Sequence, residues 1–225
     1  MARSTKRVQV EYRESVKSKS TTDSMACIAT SPNNVNKIYI MVEPLVEALS
    51  MAIEKGDIRA DDDFKIHGSV NLLVDQTKTV LHLIEVKPHI IAAFKSITKE
   101  GPISGLPMRG VKFNIMDVIL ADDPANMGAN QMVETTRRAI NASILLANPV
   151  LLESIHSATI RIPETASNTA SDIITKRGGN IFSEVKAAGA SPYIIEAFIP
   201  AKKILRFRNS PSDSYQGPRI RATSS

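Results

Sequence analysis

The sequence predicts an α+β protein built as two units, residues 1–148 and 149–225. Three observations predict it. β-rich runs of alternating polarity are mixed with apolar residues at helical spacing along the whole chain, which suits strands and helices combined in one fold. A long helical stretch ends at Asn148-Pro149, and a proline directly after a helix marks a break. Beyond it the elements run strand, helix, strand, strand, short helix, strand, the order of a split β-α-β sandwich.

The elements follow in order. Val8 to Val16 alternates, and Met25–Ala29 and Lys37–Val42 are β-rich runs bounded by turn formers, notably Ser31-Pro32-Asn33-Asn34. These read as three strands. Pro44 opens a helical pattern through Leu45, Leu49, Ala52 and Ile53 that Gly56 caps. Asp57 to Gly68 reads as a polar loop, and Val70 to Val74 as a strand. Leu81 to Lys99 has helical apolar spacing, with a start or kink expected at Pro88. Val111 to Leu120 is a strand, Asp122 to Gln131 a loop, and Met132 to Leu146 a helix. In the second unit, strands are expected at 158–162, 181–185, 193–199 and 219–222, and helices at 164–176 and 202–208. That order is ferredoxin-like.

Composition excludes several classes. With 43% hydrophobic residues the chain can bury a core, so global disorder is excluded. No run of eighteen apolar residues offers a membrane span. The basic start is followed by no apolar stretch, which argues against a secretory signal. The single cysteine, Cys27, makes no internal disulfide, and a cytoplasmic setting is expected. With no tryptophan and 4% aromatics, a large aromatic stacking platform is not expected. Charge is uneven. Residues 1–20 hold six Lys/Arg against two Glu, and residues 200–225 hold six against Asp213, so the ends carry +4 and +5. The whole chain carries +5, leaving −4 for the middle. Basic ends suit a phosphate backbone.

A search for reaction chemistry finds none. His82, Glu85 and His89 share a helical spacing, but Pro88 threatens that helix and no cysteine is near in sequence. Asp61-Asp62-Asp63 lacks the spaced ligands of a calcium loop. Lys176-Arg177-Gly178-Gly179 ends a helix rather than opening one, so the dipole is wrong for an anion. No Gly-x-x-x-x-Gly-Lys-[Ser/Thr] occurs. The expectation is a protein without catalytic residues, metal or cofactor.

A series of segments resembles, in order, domains IV and V of archaeal/eukaryotic-type elongation factor 2. They are Val10-Glu-Tyr-Arg-Glu-Ser-Val16, Ser31-Pro-Asn-Asn-Val-Asn-Lys37, Glu43-Pro-Leu45, Asn71-Leu-Leu-Val-Asp75, Thr98-Lys-Glu-Gly-Pro102, Met108-Arg-Gly-Val-Lys-Phe113, Gln131 with Arg137-Arg138, Lys176-Arg-Gly-Gly179 and Glu196-Ala-Phe-Ile-Pro200. The resemblance implies a ribosomal protein S5 domain 2-like fold followed by a ferredoxin-like one, as a divergent or truncated paralogue without the GTPase domain. It also implies a decoding-centre arm whose tip loops, 31–37, 105–109 and 122–130, meet rRNA, mRNA and tRNA. The implied contacts are Ser31, Pro32, Asn33, Asn34, Asn36, Lys37, Arg109, Asp123, Asn126, Gly128 and Gln131. Lys6, Arg7, Arg219 and Arg221 are the candidate basic contacts at the termini.

The departures from the family bear on mechanism. Asn126 stands where the family has the histidine that becomes diphthamide, and Met127 replaces the next basic residue. Asn34 and Val35 replace Lys and His. The expectation is a non-catalytic ribosome-binding protein, working alone or with a separate GTPase-containing chain. The alternative is a scaffold similar to the C-terminal part of the spliceosomal elongation-factor-like GTPase.

Overall fold

The computed structural model describes residues 10–20, 26–58, 64–67, 70–186, 193–203 and 221–223. They divide into two units, one of Tyr12–Leu152 and one that runs from Glu153 and takes in Glu11.

The first unit is a mixed sheet with helices on its faces. Its strands are β1 (Tyr12–Val16), β2 (Cys27–Thr30), β3 (Lys37–Pro44), β4 (Phe64–His67), β5 (Asn71–Asp75), β6 (Val111–Ile119) and β7 (Pro149–Glu153). Its helices are α1 (Glu47–Lys55), α2 (Leu83–Lys99) and α3 (Ala129–Leu146). Five strands form one sheet in the order β2-β3-β6-β5-β4, and β1 pairs with β7. Only β5 and β6 are parallel within the larger sheet. A parallel pair needs a crossover, and α2 supplies it.

Helical spacing decides what α2 and α3 bury. Val86, Ile90, Phe94 and Ile97 of α2 join Met132, Ala139, Ile140 and Ile144 of α3 over Ile38, Ile40, Val42, Phe113 and Ile115 of the sheet. Phe94 meets Phe113 edge-on, with centroids 5.4 Å apart. On the sheet's other face, Leu45, Val70 and Leu72 form a smaller cluster with Leu49 and Ile53 of α1. α3 carries polar residues into the core by bonding them to its own backbone. Thr135 and Thr136 donate to Gln131 O and Met132 O at 2.6 and 2.7 Å.

Several expectations are corrected. Pro44 ends β3 rather than opening α1, which starts at Glu47; Gly56 does cap it, at φ 79°. Part of the expected loop 57–68 is the edge strand β4, paired with β5. α2 does not start at Pro88, which lies inside it. The proline nitrogen has no hydrogen to give the Ile84 carbonyl, so the helix lacks one bond there, beside a residue that is 86% exposed. The division falls at Leu152–Glu153, not Asn148–Pro149, because Pro149 opens β7 and β7 pairs with β1.

The second unit holds β8 (Ile155–Ile162), α4 (Ser167–Lys176), β9 (Asn180–Lys186), β10 (Tyr193–Pro200) and β11 (Arg221–Thr223). Its sheet order is β11-β8-β10-β9, and every pair is antiparallel. Ala158, Ile160, Ile162, Ile195, Ala197 and Ile199 alternate along β8 and β10 and meet Ile174 of α4. Residues 201–203 are helical, and the rest of the helix expected at 202–208 lies outside the described residues.

One ion pair in the first sheet makes a pH prediction. Glu43 lies directly opposite Lys112 across β3 and β6 and accepts from its Nζ at 2.9 Å. Burial pushes the Glu43 carboxyl up. Hydrogen bonds from Lys112 and Asn114, with the charges of Lys112 and Lys19, outweigh it and hold the carboxyl below its ordinary 4.5. A depressed carboxyl stabilises the fold above its unfolded value, and that contribution is lost as pH falls through the folded one. Stability is therefore expected to drop below about pH 4.5 by an amount on the order of 1 kcal/mol from this pair. Urea titrations from pH 6 to 3 check it: Lys112→Met should flatten this part of the profile.

Candidate functional site

Strand register decides which loops meet. Lys37 lies opposite Ile119 and Pro44 opposite Val111. The loop before β3 and the loop after β6 therefore emerge at the same end of the sheet, where α3 also begins.

These two loops are tied by side-chain amides. Asn36 is fully buried. Its Nδ2 donates to Ser31 Oγ at 3.1 Å, Asn33 Oδ1 at 3.3 Å and Asn126 O at 2.9 Å. Its Oδ1 accepts from Ala121 N at 3.0 Å. Asn33 crosses as well: its N–H donates to Gln131 Oε1 at 3.0 Å and its Nδ2 to Asn126 O at 2.9 Å. Ser31 closes the first loop by accepting from Asn36 N at 2.9 Å and donating to Asn33. Asn34 takes φ 59°, a left-handed conformation that asparagine tolerates better than most residues. In the second loop Asp123 accepts from Ala125 N at 3.0 Å and caps a short 3-10 turn, Pro124–Met127. Met127 is buried and anchors that turn to the core. Gly128 leads into α3.

The structure thus sorts the expected contact residues. Pro32, Asn34, Lys37, Asp123 and Asn126 are exposed. Ser31 and Asn36 are 1% and 0% exposed; they build the tip and present no surface to a partner. Asn33, Gly128 and Gln131 are half-buried, with the Asn33 and Gln131 side chains committed to the link between the loops. Arg109 is not at this end. It precedes Val111 at the other end of β6, about 27 Å away at strand rise, and pairs with Glu54 of α1. The loop 105–109 therefore belongs to the base of the sheet. Lys6, Arg7 and Arg219 lie outside the described residues; Arg221 opens β11 opposite Thr159.

The tip has little net charge. Lys37 and Arg138 bring positive charge, Arg138 by donating to Thr30 O at 3.4 Å just before the first loop. Asp122 and Asp123, both exposed, offset it. Sequence reasoning missed Arg138 as a neighbour of the tip. Val35, in the first loop, is 46% exposed there. His82 Nδ1 lies 2.9 Å from Glu85 Oε1, but His82 precedes α2 in a left-handed conformation, so the helical spacing with His89 does not hold. Among the described residues no group of three His, Cys, Asp or Glu is placed to hold a metal ion.

Residues 57–148 match the family described as elongation factor G, domain IV. The match takes in β4, β5, α2, β6, the second tip loop and α3. It stops before β8 and leaves the first tip loop and the second unit outside. Those residues are an elongation factor domain IV-like region.

Proposed function

We propose that this chain is a non-catalytic, ribosome-binding protein of the archaeal/eukaryotic elongation factor 2 type. It presents its tip toward the decoding centre and grips rRNA with its basic ends. The supporting observation is the tie between the two loops at the start of α3, inside or beside the stretch that matches domain IV. A tip tied by buried amides costs little ordering on binding. The second unit supports a domain V reading through its sheet order, β11-β8-β10-β9, with α4 between β8 and β9. That is the order of a split β-α-β sandwich. These 225 residues hold no Gly-x-x-x-x-Gly-Lys-[Ser/Thr] loop, and this reading includes a GTPase-containing partner chain. A cytoplasmic location fits the single cysteine. Among the described residues, no helix is long and apolar enough to cross a membrane.

Because Asp122 and Asp123 offset Lys37 and Arg138 at the tip, phosphate attraction in this reading comes from the termini. Cosedimentation with ribosomes over a salt series tests it. Reversing Lys6, Arg7, Arg219 and Arg221 to Glu is expected to weaken binding at least about tenfold and to reduce the salt slope by roughly four phosphates' worth. Unchanged binding by that variant would sink the reading. The near-neutral tip also favours a second one, a scaffold that docks on protein, similar to the C-terminal part of the spliceosomal elongation-factor-like GTPase. Recovery with small nuclear ribonucleoproteins instead of ribosomes would select it.

A further inference from the structure

The outer face of the second unit's sheet carries an aromatic pair that composition did not lead one to expect. Phe182 and Phe198 are 49% and 45% exposed. Their rings stack with centroids 4.5 Å apart and planes 29° from parallel.

Strand geometry explains how they meet. Phe198 alternates with Ala197 and Ile199, which face α4, so it points away from the core. On β9 the register with β10 shifts between Glu196 and Ala197: Ser183 lies opposite Glu196 and Ile181 opposite Ala197. Phe182 is the extra residue of that bulge. Bulges re-aim side chains, and this one brings Phe182 against Phe198.

We propose that this face binds single-stranded nucleic acid, with bases stacked on the Phe182–Phe198 pair. Four-stranded sheets bind single strands by stacking bases on exposed aromatics, and the stack is indifferent to base identity. The charges nearby suit a phosphate backbone. Arg161 is exposed on the same face of β8, opposite Ile194, at one end of the pair. Lys202 and Lys203, both exposed, follow β10 directly at the other end. Glu196 lies between them on this face and leaves the centre for bases rather than phosphates. This surface belongs to the second unit, and binding there does not depend on ribosome binding.

The test is fluorescence anisotropy of a labelled oligouridylate with the full chain, at about 50 and 200 mM salt. Wild type should bind more tightly at the lower salt. Phe182→Leu and Phe198→Leu should each weaken binding about tenfold, and Phe182→Tyr with Phe198→Tyr should keep it. The leucine variants retain apolar bulk at half-exposed positions, so circular dichroism and the unfolding midpoint should match wild type. Equal binding by the double leucine variant, or no binding by wild type at low salt, would overturn the proposal. So would a wild-type dimer that the double leucine variant dissociates, since the face would then be a contact between copies. Ribosome cosedimentation run in parallel keeps the two readings apart: the leucine variants can lose the oligonucleotide while the charge-reversed variant loses the ribosome.

Discussion

Glu14→Ala is expected to destabilise the first unit by about 3–4 kcal/mol. Glu14 is 1% exposed. Its carboxylate accepts from the backbone N–H groups of Ile103, Ser104 and Leu106 at 3.1, 2.6 and 3.2 Å. These donors belong to the turn that leads from α2 into β6. Its main chain joins the same loop, donating to Pro107 O and accepting from Arg109 N. Alanine leaves three donors without their acceptor, and each buried orphan costs about 1–3 kcal/mol, offset where water enters. Glu14→Gln keeps the shape but turns an NH2 toward N–H donors, so it should recover only part of the loss. Gly101 supplies the independent check. A Cβ at Gly101 would overlap the Glu14 carboxylate, so Gly101→Ala alone should cost about 2–3 kcal/mol. Combined with Glu14→Ala it meets no carboxylate, and the double variant should cost clearly less than the sum. Chemical denaturation of the four proteins closes the cycle. Additive losses would mean that the carboxylate does not occupy this turn.

That turn shows where sequence reading succeeds and where it stops. The helices were legible because Val86, Ile90, Phe94 and Ile97 repeat at the period of α2, and a helix face can be read one residue at a time. β4 was hidden because Asp61-Asp62-Asp63 and Gly68 dominate its surroundings; an edge strand needs only one partner, and β5 supplies it. β7 was hidden because a proline reads as a terminator, yet it can open a strand where no ladder donor is needed. The site was harder. Glu14 sits in an alternating β run, and nothing local says that its carboxylate will be enclosed by a turn some ninety residues later. The resemblance implies an RNA contact at Asn36 of the first tip loop, and Asn36 is buried instead. Its burial depends on Ala121 and Asn126, which only the β3–β6 register brings beside it. The placement of 105–109 failed for the same reason: register, not composition, decides which end of β6 a loop occupies.

Asn36 also gives the second large effect. Its amide has a fixed orientation, because the Ala121 N–H requires an acceptor and the Asn126 carbonyl a donor. Asn36→Ala removes both and is expected to cost about 2–3 kcal/mol, with an orphaned N–H at Ala121 and a small cavity. Asn36→Asp has the same shape but sets a carboxylate oxygen against Asn126 O and Asn33 Oδ1, and buries a charge. It should therefore be worse than alanine, by about 1 kcal/mol or more, at neutral pH. Amide exchange separates these effects from general unfolding. Exchange at Ala121 should accelerate in both variants before that at Ile40 or Phe113 in the sheet. The two loops would then move independently, and the tip would lose the order that ribosome docking is proposed to use. If aspartate were tolerated better than alanine, the amide would not be the tie between the loops, and the rigid tip on which the proposed function rests would have to be held by something else.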